Sequence, residues 1–189
     1  MTTKAVIIVP SQGKHASMFK DVAKSLNRKV YAKKAIIVET TVRDVLGVLV
    51  VGLYKLDGKV FTWAEVSNLS TVLTISHGGL CDGPNLASEE GGYQPWGSTS
   101  CDGTLSSEGE KFWNSIGNVL KSGGKIVLIG CSMGSGSYGQ SVANAAKRAT
   151  YASDGLFAAA DEATTLKHVK AIEKGLAIRP MKRFNPETT

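Results

Sequence analysis

The sequence predicts an α/β protein: a mainly parallel sheet with helices on both faces, an α/β/α sandwich. Three observations carry this expectation. Short β-branched runs recur at "KAVIIVP", "KKAIIVET", "LSTVLTISHGG" and "KIVLIG". Stretches with apolar residues at helical spacing follow or separate them. No apolar run reaches the ~20 residues of a membrane span, and the longest, "VLGVLVVGLY", fits a buried strand or core helix.

The elements follow in order. Lys4 to Pro10 is a strand closed by a proline turn. Ser17 to Asn27 follows as a helix, with Met18, Phe19, Val22, Ala23 and Leu26 on one face and Ser17 as N-cap. Lys33 to Thr40 is the second strand; Thr41 to Tyr54 is a helix, or a helix giving way to a strand, before a turn at "LDGK". Leu69 to Gly79 brings a strand ending at Ser76-His77. A Gly-, Ser- and Pro-rich loop then runs from 80 to 105, long enough to suggest a functional segment. Ser106 to Gly124 reads as a helix opened by a Ser107-x-x-Glu110 capping box and closed by Gly123-Gly124. Ile126 to Ile129 is the fourth core strand, Gln140 to Ala149 a helix and Gly155 to Ala160 a further strand. Thr164 to Lys174 is a helix, and "IRPMKRFNP" is extended. A chain of 189 residues with 42% hydrophobic and 20% charged residues suits one domain over 1–189. Its core is expected at about 4–160, with a basic C-terminal segment over 161–189.

The net charge of +6 gathers at Arg28, Lys29, Lys33 and Lys34, then at Lys167, Lys170, Lys174, Arg179, Lys182 and Arg183. No aromatics interleave with them and no nucleic-acid motif is present, so solvated basic faces are expected rather than a nucleic-acid site. The N-terminus enters an apolar strand without a cleavage pattern, which leads us to expect a cytoplasmic protein. Three cysteines are too few for a disulfide scaffold. Cys81 and Cys101 lie in matching "CDG" triplets, as loop thiols or a disulfide that would leave Cys131 free. No Cys/His pair has zinc-ligand spacing, and neither metal nor cofactor is expected.

In open sheets of this class the functional site lies at the carboxyl ends of the strands. His77 and Cys131 each stand at such an end. Gly78 and Gly79 follow the histidine without side chains, so a backbone N–H could approach an oxyanion closely. The N–H of Cys131, near the start of the next helix, is a second donor. A thiol nucleophile needs a proton acceptor of this kind, and His77 can supply it.

The stretch "IVLIGCSMGSGSYG" also carries two other motifs. Gly130-Cys131-Ser132-Met133-Gly134 spells the serine-hydrolase elbow, with Ser132 as nucleophile and "HGG" as an oxyanion loop. Its acid and histidine would be Asp154 or Asp161 and His168, all close behind Ser132, leaving little room for the strands that usually separate triad members. Gly134, Gly136 and Gly139 spell a dinucleotide loop ahead of a helix, a non-enzymatic nucleotide- or phosphate-binding module. Asp154 follows about 20 positions on, but not at the end of a second βαβ strand, and no P-loop lysine is present.

Taken together, "VLTISHGG" and "KIVLIGCSMG" resemble the signature of the clan CD cysteine peptidases. This caspase-like family includes caspases, metacaspases, legumain, clostripain, gingipains, separase and the self-cleaving domains of bacterial toxins. The resemblance covers roughly residues 4 to 160. It implies a caspase-like α/β/α sandwich and a cysteine endopeptidase acting on peptide or protein substrates, its own chain included. Carried over, it makes Cys131 the nucleophile, His77 the base and acid, and Gly78 and Cys131 the oxyanion donors. Substrate binding would fall near Ser153, Asp154 and Gly155, with Asp154 suited to a basic P1 residue. The chain departs from the family where Ser132 follows the cysteine in place of "QACxG", and in the length of the loop after His77. Tyr93 and Trp96 of that loop are candidate substrate contacts, with packing as the plainer role.

Overall fold

The computed structural model describes residues 3–46, 48–79, 83–85 and 104–187. Cys81, Tyr93, Trp96 and Cys101 lie outside the described residues. The strands are β1 (Ala5–Pro10), β2 (Ala35–Val45), β3 (Val48–Lys55), β4 (Leu69–Ile75), β5 (His77–Gly79), β6 (Gly83–Asn85), β7 (Leu120–Ile129), β8 (Ala149–Ser153) and β9 (Met181–Phe184). The helices are α1 (Ala16–Lys29), α2 (Ser107–Val119), α3 (Tyr138–Ala146) and α4 (Glu162–Glu173), with a 3-10 turn at Trp63–Glu65. Seven strands form one sheet in the order β3-β2-β1-β4-β7-β8-β9, and β5 and β6 form a small ribbon.

The α/β class is as the sequence predicts. The five central strands β2, β1, β4, β7 and β8 run parallel. The two outer strands, β3 and β9, are antiparallel to their neighbours. Every residue of β1 is buried, as expected of a strand covered on both faces. One face packs Phe19, Val22 and Leu26 of α1 with Leu166, Val169 and Ile172 of α4. The other packs Trp113 and Ile116 of α2 with Tyr138 and Val142 of α3. Ser25 and Lys29 of α1 both donate to the Glu162 carboxylate, at 2.7 and 2.6 Å, tying α1 to the start of α4.

Several local expectations are corrected. Residues 41 to 54 form no helix: β2 continues to Val45 and turns directly into β3, register Val38↔Lys55 through Val45↔Val48. The β-branched run Thr40, Thr41, Val42, Val45, Val48, Val50 and Val51 favours the pleat, and Leu46 takes φ +55 at the tip. Helix α1 starts one residue before Ser17, with His15 in the flanking position and no side-chain cap. Helix α2 is capped by Ser106, which accepts from the Gly109 N–H at 2.9 Å, rather than by Ser107.

Nor does α2 run to the glycine pair. Leu120 is buried opposite Leu69, which pulls the chain into β7, and the register then shifts so that Thr71 pairs with Lys125. Gly123 takes φ +73 within the extruded residues. Gly155 to Ala160 is not a strand. The chain there makes tight turns, Phe157 C=O accepting from Ala159 N–H and Ala158 C=O from Asp161 N–H. The strand is instead β8, reached because Lys147 ends α3 in the left-handed region at φ +53.

Gly117 sets the spacing of α2 against α3. A Cβ built there would sit 2.0 Å from the Ala146 carbonyl oxygen, so only a hydrogen fits. Gly117→Ala is expected to lower the urea midpoint by the equivalent of about 1–3 kcal/mol, despite alanine's better helix propensity. An unchanged or raised midpoint would contradict the packing described.

Candidate functional site

The register of β4 against β7 runs in step from Thr71↔Lys125 to Ile75↔Ile129, and the Ser76 N–H continues it onto the Ile129 carbonyl at 3.0 Å. His77 and Cys131 therefore leave adjacent parallel strands at the same height. Ile75 and Ile129 both face the α1/α4 layer. Side chains alternate along a strand, so two residues further on His77 and Cys131 emerge toward that same layer. The contacts agree: His77 packs edge-on against Phe19 of α1, ring centroids 5.1 Å apart, and Cys131 meets the backbone of Phe157.

Two glycines allow this approach. A Cβ on Gly78 would lie 2.5 Å from the Cys131 carbonyl oxygen and 3.1 Å from its nitrogen. On Gly130 it would lie 2.7 Å from the Ser76 carbonyl oxygen. Beyond the sheet end, β5 carries Gly78 opposite Pro84 of β6. The backbones of the His77 and Cys131 turns are thus in direct contact.

Cys131 is half-buried and forms no disulfide among the described residues. Phe157 N–H donates to the sulfur at 3.4 Å, and Phe157 C=O accepts from the thiol at 3.5 Å. Ser132, next in the chain, takes φ +56, unusual for a residue with a side chain. Its N–H is fixed on the Gly155 carbonyl at 2.7 Å, and the Gly134 N–H on the Ser153 carbonyl at 2.6 Å. Helix α3 begins only at Tyr138 after Ser137, so Cys131 lies well ahead of its N-terminus rather than at it. The helix dipole fades within a turn and so does not extend to the Cys131 N–H.

The expected substrate residues, consecutive at the exit of β8, differ in access. Ser153 is fully buried and donates to the Gly130 carbonyl, which suits a residue that shapes the cysteine turn. Asp154 is exposed and pairs with Lys182 at 2.6 Å. Lys182 above all, then the Ser135 hydroxyl, hold its carboxyl below the ordinary aspartate range. Phe157 and the exposed Leu156 stand on the same turn.

The other motif partners have structural tasks. His168 is buried, its two ring nitrogens facing the Thr164 and Arg179 carbonyls at 2.8 and 3.0 Å. Asp161 caps α4, accepting from the Thr164 N–H at 2.8 Å. Of the loop glycines, Gly134 is pressed against Ala152 and Gly139 against the Phe184 ring, so packing accounts for both. Among the basic residues, Lys29 pairs with Glu162, and Arg183 lies over the Tyr151 ring at 5.9 Å. Among the described residues no helix is long and apolar enough to cross a membrane, and no three His, Cys, Asp or Glu side chains cluster as metal ligands.

One member of the site is absent from the sequence expectations. His15 Nδ1 lies 2.9 Å from His77 Nε2, with ring centroids 5.0 Å apart. The available signal was its position: a histidine just past the carboxyl end of β1, the strand beside β4. Comparison with protein-family models, with curated proteins and with solved structures finds no match.

The close contact at Gly78 makes it the most sensitive backbone position of the site. Gly78→Ala forces its methyl into the Cys131 peptide and Met133 Cγ, the latter 2.9 Å away. A stability loss of about 1–3 kcal/mol in denaturant titration is expected. A neutral outcome would mean that the two turns do not touch as described.

Proposed function

We propose that the chain is a cysteine endopeptidase in which Cys131 and His77 form a catalytic dyad. The observation that carries this reading is the emergence of both side chains, toward one layer, from the carboxyl ends of the adjacent parallel strands β4 and β7. The resemblance of "VLTISHGG" and "KIVLIGCSMG" to the caspase-like signature points the same way.

In this reading the Cys131 proton passes to His77 as sulfur attacks a peptide carbonyl, forming a C–S bond. Backbone N–H groups of Gly78 and Cys131 stabilise the oxyanion. The C–N bond breaks as His77 returns the proton to the leaving amine. A water then gives one proton to His77 as its oxygen bonds to the thioester carbon; the C–S bond breaks, the acid leaves, and His77 returns the proton to the Cys131 sulfur. The Phe157 N–H, already on the sulfur, remains a partner for the thiolate. Peptide or protein segments, this chain's own included, are the substrate class, and Asp154, exposed just after β8 and now paired with Lys182, is the acidic group that would favour a basic residue at the cleaved position. A reducing compartment such as the cytoplasm suits a free thiol nucleophile.

A second reading keeps one specific support: Ser132, centre of a serine-elbow motif, has the left-handed backbone of a strained turn. Of the acids that reading offers, Asp154 pairs with Lys182 and Asp161 is a helix cap, and its histidine, His168, is engaged within the core.

Glycine accepts φ +56 without strain, so Ser132→Gly removes the hydroxyl and keeps the turn. Peptide cleavage and iodoacetamide labelling at Cys131 are expected to survive Ser132→Gly within about fivefold. Cys131→Ala is expected to lose cleavage by about a thousandfold or more. Fluorophosphonate attachment at Ser132, with Cys131→Ala still active, would replace the thiol reading by the serine one.

A further inference from the structure

We infer that a cavity at the amino ends of the central strands, opposite the end that carries His77 and Cys131, binds a small phosphate-bearing anion through Lys4, Lys34 and Lys121. This site is independent of the chemistry assigned to Cys131.

The cavity has a volume of about 410 Å³, and the three lysines line it. Small-molecule sites are of this size, roughly 300–1,000 Å³. The sheet delivers each lysine. Lys4 and Lys34 immediately precede β1 and β2, and the Lys4 N–H donates to the Lys34 carbonyl at 2.7 Å. Ser70 of β4, also on the wall, fixes the next junction. Its N–H and its hydroxyl both donate to the Lys4 carbonyl at 2.8 Å. Lys121 arrives through the register shift of β4 against β7. Leu69 pairs with Leu120 and then Thr71 with Lys125, so 121–124 stand opposite Ser70 alone. An irregularity of this kind re-aims side chains that a regular strand would send elsewhere. Left-handed backbone gathers at the same place: Ala32 and Lys33, between Tyr31 and Lys34 of the wall, take φ +51 and +63, and Asn68 on the wall takes φ +56. Strained backbone at residues with side chains concentrates at functional sites.

The charge of the three lysines is not spent within the chain. All three are exposed, and among the described residues no carboxylate pairs with any of them. Glu173, an acid on the wall, is engaged elsewhere. Its Oε1 accepts from the Thr71 and Tyr31 hydroxyls at 2.7 and 3.0 Å, and its Oε2 from the Lys125 ammonium at 3.5 Å. Burial above all, then Glu173, push the Tyr31 hydroxyl well above its ordinary range, which keeps it a donor to that carboxylate. Lys125 also serves the carbonyl end of α4, donating to the Ile172 carbonyl at 3.1 Å. Like charges around one concavity raise its potential and draw anions into it. Lysine acts as a point charge, which suits the compact multiple charge of a phosphate. The planar fork of arginine matches carboxylates in two-point fashion, and none of the described wall residues is an arginine.

The test uses the full chain and pyrophosphate as probe. Calorimetric titration at low ionic strength is expected to show one saturable site that weakens as salt is added. Lys34→Gln and Lys121→Gln are each expected to weaken binding by about 5- to 10-fold, and the triple change at Lys4, Lys34 and Lys121 by about 100-fold or more. Lys167→Gln with Lys170→Gln, on the exposed side of α4, removes charge away from the cavity and is expected to leave affinity within about twofold. Glycerol 1-phosphate is expected to compete with pyrophosphate, and malonate to bind at least about tenfold more weakly. Equal losses from the α4 pair, or malonate as tight as pyrophosphate, would overturn the inference. So would a chain that sediments with phosphatidic acid vesicles while binding neither soluble probe, since the lysines would then serve a membrane headgroup.

Discussion

The in-register parallel pairing of β4 with β7 is the constraint on which the rest of this molecule depends. Parallel neighbours lie about 4.8 Å apart, and nothing in their geometry forces them to end together. Here they do, with Ile75 opposite Ile129 and two glycines where the chains leave the sheet. A side chain at Gly78 or Gly130 would wedge the two exits apart. Because the backbones touch, every segment that meets one exit also acts on the other.

The polar groups around Cys131 fix a turn more than they line a surface. Ser153 donates to the Gly130 carbonyl, the Gly155 carbonyl receives the Ser132 N–H, and the Ser153 carbonyl receives the Gly134 N–H. The exit of β8 is thereby laced to the exit of β7, and Ser132 is held in a backbone conformation it would otherwise avoid. Asp154 extends the lacing outward to Lys182 on β9. The Cys131 sulfur ends up facing Phe157 on the same lacing segment, so its orientation is set from β8 as well as from its own strand.

Much of this arrangement was legible in the sequence, and its limits are physical. The apolar runs of β1, β4 and β7 are continuous and buried, and their strength marked His77 and Cys131 as strand-end residues. Strand β8 was missed because "ATYAS" is short and partly polar; its burial is supplied by neighbours, not by its own hydrophobicity. "GLFAAA" looked apolar enough for a strand, yet only part of it is buried, with Phe157 in the core and Leu156 89% exposed. The apolar positions of the β2–β3 hairpin suit either period, so the sequence alone offers a helix, or a helix giving way to a strand, where the structure has two strands. His15 was invisible for another reason: its partner stands on a different strand, and pairing of β1 with β4 is what brings them together.

The site draws on four stretches of chain far apart in sequence: the start of α1, the exits of β4 and β7, and the turn after β8. No two of these are joined by a local hairpin. Contacts of such long range close loops late, since the entropy of bringing distant segments together precedes any reward. A nascent chain or a partly folded intermediate can therefore own a sheet fragment and helices yet lack the arrangement around Cys131. Whatever chemistry the thiol performs is withheld until the turn after β8 has docked beside the β4 and β7 exits, so the topology itself delays reactivity until these distant segments have met.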